Sequence, residues 1–198
     1  MNLDNVIAKR SKKTIYRDGD SVIKVFDEEY LKSDVLKEAL NQARIEETNL
    51  NVPKILQVTH IENKWAIVSE FIEGKTLAML MEENPDKEDE YLDLFLNIQK
   101  EILASKSPLL TKLKDKMKTK INNSNYDSAI KYELNARIES TPNHSCVCHG
   151  DFNPSNIIIR EDGRAYVLDW SHVTQGNASA DVARTYLLFK IAKKDKLS

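Results

Sequence analysis

In the first third of the chain, short apolar runs alternate with polar residues, the period-two pattern of half-buried strands. The pattern predicts strands over residues 6–10, 13–17 and 21–26, with Asp18-Gly19 as the tight turn between the second and third. The period then changes. Val35, Leu36, Ala39, Leu40 and Ala43 recur at helical spacing, predicting a helix over 31–48 that stops in the segment 49–53. Two more strands follow over 54–61 and 64–71, joined by Glu62-Asn63. Downstream, Thr76 caps a short helix to Glu83, and Asn84-Pro85 starts a longer one to about Lys106. Helices also cover 109–121 and 126–140, a strand pair at 157–159 and 166–168 brackets Asp162-Gly163, and a last helix begins near Ser179. Strands first and helices after predict an α+β protein of two lobes, 1–72 and 73–198.

Composition narrows the class without naming an activity. The 198 residues are 41% hydrophobic and 30% charged, an ordinary soluble balance. No apolar run approaches the ~20 residues of a membrane span, and the start lacks signal-peptide character, so no membrane partner and a cytoplasmic location are expected. Lys plus Arg is 29 against 31 for Asp plus Glu, which gives no support for a nucleic-acid partner. Cys146 and Cys148 do not make a disulfide framework. With His144 and His149 they lack the usual zinc spacing, and two thiols in a reducing compartment are the expected reading.

The most concentrated signal is His149-Gly150-Asp151-Phe152-Asn153-Pro154-Ser155-Asn156, followed by an apolar hairpin and Leu168-Asp169-Trp170. Each of these residues alone is an ordinary loop former. As a spaced set they are more specific. A hairpin returns the chain to its start, which makes Asn156 and Asp169 spatial neighbours, and a carboxylate with an amide oxygen suits Mg²⁺. Asp151 remains free to orient or deprotonate a hydroxyl. Upstream, Val22-Ile23-Lys24-Val25-Phe26 sets one lysine in an apolar strand, a costly placement unless its ammonium meets an anion.

The wording HGDFNPSN…LDW resembles the aminoglycoside phosphotransferase and choline kinase-like family, whose pattern is H-G-D-x-x-x-x-N followed by an aspartate pair such as D-W. The resemblance spans most of the chain, from about Thr14 to Phe189. It implies a two-lobed protein kinase-like fold with a five-stranded antiparallel N-lobe and a mostly helical C-lobe. Because members usually carry further helices, the fold is expected to be C-terminally short. Lys24 would hold the α/β-phosphates of ATP (or GTP) and pair with Glu38; Glu46 and Glu47, nearer the helix end, are read as solvated. Glu70, Phe71 and Ile72 would offer backbone groups to the adenine edge, with Val22, Ile158 and Leu168 as aliphatic walls. Asp151 would be catalytic, Asn156 and Asp169 would hold Mg²⁺, and Asp181 would brace the catalytic loop.

The implied reaction moves the γ-phosphoryl group of a nucleoside triphosphate to a hydroxyl of a small molecule. Aminoglycoside, choline, sugar and amino alcohol acceptors stay open, and the sequence assigns no oligomeric state. The alternative is a nucleotide-binding pseudokinase or truncated family member without acceptor turnover. A protein kinase is disfavoured by Trp170-Ser171-His172 after Asp169. Glu73-Gly74-Lys75-Thr76 is not a P-loop, because Ser69 stands where the first glycine is needed. A glycine-rich loop in the first hairpin is absent too, as it often is in the non-protein kinases of this family: the tip reads Lys9-Arg10-Ser11-Lys12, whose backbone and basic groups would cover the phosphates instead. The acids of 82–93 and the alternating lysines 112, 114, 116, 118 and 120 read as solvated surface.

Overall fold

The first complete hairpin turns where Asp18-Gly19 predicts, with Gly19 at φ 58°. The computed structural model describes residues 1–10 and 12–195; Ser11, in the expected tip of the preceding hairpin, lies outside them. Strands β1 (Val6–Arg10), β2 (Lys13–Asp18), β3 (Ser21–Phe26), β4 (Ile55–Ile61) and β5 (Lys64–Glu70) form one antiparallel sheet in the order β1-β2-β3-β5-β4. Its register sorts the residues by face. Ile15 pairs with Lys24 and Lys24 with Ile67, so these three share a face, while Ile23, Val25, Ala66 and Val68 pack together on the other. Helix α1 (Lys32–Glu46) covers the Lys24 face, setting Val35 and Ala39 against Phe26 and Ile67.

Contacts divide the chain into two compact units. The first comprises Met1–Ile98 and Asn153–Ser171. Besides the large sheet it holds β6 (Lys75–Thr76), β8 (Ile157–Ile159) and β9 (Ala165–Val167), paired in the order β6-β8-β9. Helix α2 (Leu77–Glu83) starts on Thr76, whose hydroxyl accepts from the Met79 amide. Gly74 is required by the packing beside it: a Cβ there would stand 2.4 Å from the Ile159 carbonyl oxygen. The P-loop-like GKT is therefore a strand end held against β8, and Lys75 pairs with Glu83 at 2.7 Å.

The second unit comprises Gln99–Phe152 and the chain from His172 onward. It holds α4 (Leu113–Asn122), α5 (Ser128–Ser140), the strand pair β7 (Cys146–Cys148) and β10 (Thr174–Gly176), and α6 (Ala178–Asp195). Helix α3 (Glu88–Ala104) runs from the first unit into the second, after a 3-10 turn at Pro85–Lys87. Three expectations change. The helix expected from 109 begins at Leu113, because the stretch before it pairs with β10: Thr111 accepts from the Gln175 amide and Leu110 is buried. Strands β7 and β10 were not foreseen, being three residues each. The lysines of α4 do more than solvate. Lys114 donates to the Thr141 carbonyl (2.6 Å), Lys116 to that of His172 (2.7 Å), and Lys118 pairs with Glu139.

Candidate active site

A cavity of about 450 Å³ lies within the first unit, lined by Arg10, Lys13, Val22, Lys24, Glu70, Ile72, Asn156, Ile158, Leu168 and Asp169 among others. Two larger cavities, each about 630 Å³, lie in the second unit. The smaller one is where charged groups from distant parts of the chain converge, and that feature marks a candidate site better than volume.

Strand β3 delivers Lys24 and α1 delivers Glu38, and the ammonium donates to Oε1 at 2.6 Å. Both are largely out of water, with side chains 17% and 8% exposed. Burial alone would push the Lys24 ammonium below its ordinary value; the carboxylates of Glu38 and Asp169 outweigh it, and the net shift is upward. Of the other acids in α1, Glu46 is not simply solvated. Its Oε1 accepts from the Ile55 amide at 2.8 Å, tying the helix end to β4.

The late hairpin brings Asn156 and Asp169 to the same end. Asn153 starts a 3-10 turn over Pro154–Asn156 by accepting from the Ser155 amide. Ile157 pairs with Val167, and the Leu168 amide donates to the Asn156 carbonyl at 2.8 Å. Asp169 follows in the left-handed region at φ 58°, a conformation uncommon outside glycine that aspartate tolerates better than most. Its Oδ1 stands 3.9 Å from Lys24 Nζ. Among the described residues no group of three or more His, Cys, Asp or Glu stands ready to hold a metal. One carboxylate and one amide oxygen fit a hard divalent ion only if phosphate oxygens and water complete the shell, which is how Mg²⁺ binds nucleotides.

Val22, Ile158 and Leu168 all line this cavity, as do Glu70, Phe71 and Ile72. The amides of Glu70 and Phe71 are already engaged, donating to the carbonyls of Lys54 (2.9 Å) and Asp20 (2.8 Å). Asp151 belongs to the second unit, in a loop fixed by its own neighbours. The Asp151 amide donates to Nδ1 of the fully buried His149, and Asp181 accepts from the amides of His149 (3.2 Å) and Gly150 (2.8 Å). Burial pushes the Asp181 carboxyl up, opposed by those amides. Gly150, at φ 80°, has no room for a side chain: a Cβ would stand 2.8 Å from the His172 carbonyl oxygen.

Lys13 also lines the cavity, and its sequence context alone did not single it out. The signal was available in the hairpin register. Pairing Asp18 with Ser21 sets Ile15 opposite Lys24, and Lys13, two residues from Ile15, falls on the same face.

The mixed α/β architecture, a five-stranded antiparallel sheet with a helical part, matches the kinase-like fold of solved aminoglycoside phosphotransferases. A family model, the phosphotransferase enzyme family, matches residues 7–197, and the chain belongs to that family. Among solved structures, aminoglycoside phosphotransferase APH(4)-Ia superposes with a TM-score of 0.66 at 17% identity, covering 91% of this chain and 70% of that one. Aminoglycoside-3'-phosphotransferase of type VIII gives 0.61 at 16% identity, covering 92% and 74%. A choline/ethanolamine kinase family protein from Mesorhizobium loti gives 0.57 at 13%, covering 93% and 63%. No curated protein sequence matches.

Proposed function

We propose that this chain transfers the γ-phosphoryl group of ATP to a hydroxyl of a small molecule. The observation that carries the reading is the convergence of Lys24 and Asp169, with the Asn156 hairpin, on one cavity with aliphatic walls, Lys24 being paired from behind with Glu38. In this reading residues 1–72 form the nucleotide-binding N-lobe, and 73–198 the C-lobe with the catalytic loop and metal-binding hairpin. Lys24, held by Glu38, orients the α/β-phosphates, and Val22, Ile158 and Leu168 pack on the adenine ring. The Glu70 and Phe71 amides are engaged, so in this reading the Ile72 amide and the carbonyls of this segment serve the adenine edge. Asn156 and Asp169 are the oxygen ligands for Mg²⁺, which when bound offsets charge on the transferring group. Asp151 orients the acceptor hydroxyl and takes its proton as the oxygen attacks the γ-phosphorus. The bond from that phosphorus to the β–γ bridging oxygen breaks, and ADP leaves.

Support for nucleotide as donor comes from a related fold: a thermostable mutant of APH(4)-Ia is solved as a ternary complex with AMP-PNP and hygromycin B, at a TM-score of 0.64 and 18% identity. The acceptor panel is the one the sequence left open: aminoglycosides, choline, sugars and amino alcohols. The test is nucleotide consumption with ATP and with GTP, in Mg²⁺, across that panel, with product mass read for one added phosphoryl group. Transfer to a hydroxyl acceptor is expected. Failure to bind either nucleotide would overturn the reading. Binding without transfer to any acceptor would favour the pseudokinase alternative.

A further inference from the structure

Lys13 presents a second ammonium to the cavity that holds Lys24. Its Nζ lies 3.5 Å from Asp169 Oδ2 and 3.8 Å from Glu38 Oε1, and its side chain is 16% exposed. The sheet register explains the placement. Lys13 and Lys24 are diagonal neighbours on one face of the β2–β3 pair, about 7–8 Å apart at the backbone, within reach of two long side chains. Two ammoniums and two carboxylates thus form one cluster with no net formal charge.

Glu38 already has a close partner in Lys24, so a second buried ammonium needs its own reason. Both contacts of Lys13 are longer than the ~2.7–2.9 Å of a tight charge-assisted bond. Lys13 is held by charge without being locked, whereas Lys24 is locked. It also flanks the first hairpin, the place where protein kinases carry a glycine-rich loop over the phosphates, and residues 9–13 contain no glycine.

We propose that Lys13 is a second triphosphate-binding cation. When nucleotide enters, its ammonium exchanges the Asp169 carboxylate for phosphate oxygens, supplying from a side chain the positive potential that backbone amides of a glycine-rich turn supply elsewhere. The exchange releases Asp169 toward the divalent ion. The cluster, neutral in the free protein, then becomes a cationic cradle for the phosphates. This proposal rests on the phosphotransferase reading above.

The test is equilibrium binding of ATP, ADP and adenosine, each with Mg²⁺, to the full chain and to Lys13→Gln, Lys13→Arg and Lys24→Met. Lys13→Gln should weaken ATP about 10- to 100-fold, weaken ADP less, and leave adenosine within about twofold. Lys13→Arg should recover most of the ATP affinity, since a guanidinium also pairs with phosphate. Unchanged ATP affinity in Lys13→Gln would overturn the proposal. So would a parallel loss of adenosine, which would mean that Lys13 only supports the pocket. If Lys24→Met loses ATP while Lys13→Gln does not, this proposal fails and the phosphotransferase reading stands. If the wild-type chain binds none of the three ligands, both fall.

Discussion

The ammonium of Lys24 stands 2.6 Å from Oε1 of Glu38, joining the middle strand of a five-stranded sheet to the buried face of the helix that follows it. Removing one member of a buried pair usually costs about 3–5 kcal/mol, because the other charge is left without compensation. Here Asp169, 3.9 Å from the same ammonium, softens that loss. Glu38→Gln should therefore cost less than about 3 kcal/mol in urea unfolding. Its larger effect should be on turnover, reduced by about 100-fold as Lys24 turns toward Asp169 and loses its aim at the phosphates. A variant with wild-type turnover would remove Glu38 from the proposed machinery.

Asp169→Asn separates charge from backbone shape. Asparagine tolerates the left-handed φ of 58° that this position requires, so the local backbone should be kept, although Lys13 and Lys24 lose a carboxylate partner. An amide is a far weaker ligand for a hard cation than a carboxylate. Metal-dependent nucleotide consumption should fall by about 1000-fold, and the Mg²⁺ concentration giving half-maximal rate should rise. Full activity in this variant would show that the metal assignment is wrong.

How much of this was readable in advance follows from the range of the interactions. The five strands and α1 were legible because each carries its own periodic apolar pattern and turn residues. That the chain returns Asp169 to the end of the hairpin that Asn156 opens was legible because one short hairpin joins them. Strands β6, β7 and β10 were not: like β8 and β9 they are two or three residues long, but no turn joins them to their partners, which lie far along the chain. The role of Gly74 was misleading for the same reason: GKT imitates a phosphate loop, and only the approach of the Ile159 carbonyl explains the glycine. Lys13 needed the register of the β2–β3 pair to be counted, and Glu46 needed the path of β4.

That approach makes Gly74→Ala a sharp test of the small sheet. A methyl group would have to sit 2.4 Å from Ile159 O and 2.8 Å from Ile158 Cγ2, so the strand pair must separate. The expected cost is about 2–4 kcal/mol, read as a lower urea midpoint. Because Ile158 is one wall of the cavity, ATP affinity should fall as well. A neutral substitution would mean that β6 and β8 are not packed as described.

Cys148 should be chemically silent in the folded protein. Burial first, then the nearby Asp181 and Cys146, push its thiol up to about 12. Alkylation requires the thiolate, which at about pH 8 would then be roughly one part in ten thousand. Iodoacetamide at that pH, followed by peptide mass analysis, should leave Cys148 unmodified in the native chain and modify it in urea. Native labelling at the denatured rate would contradict its burial.

The Lys24 cluster also sets a pH signature at the alkaline end. The folded pKa of Lys24 is raised above 10.5, its unfolded value, because Glu38 and Asp169 outweigh the effect of burial. A raised pKa means that the folded chain holds this proton more tightly than the unfolded one. The resulting stabilisation is complete below 10.5 and is lost as the pH climbs through the folded value. The informative quantity is the difference in unfolding free energy between wild type and Lys24→Met, which isolates this group from the rest of the chain. That difference should hold steady from about pH 7 to 10 and shrink above 10.5. A difference that grew with alkalinity would mean that desolvation dominates and that the carboxylates do not hold the ammonium as the geometry indicates.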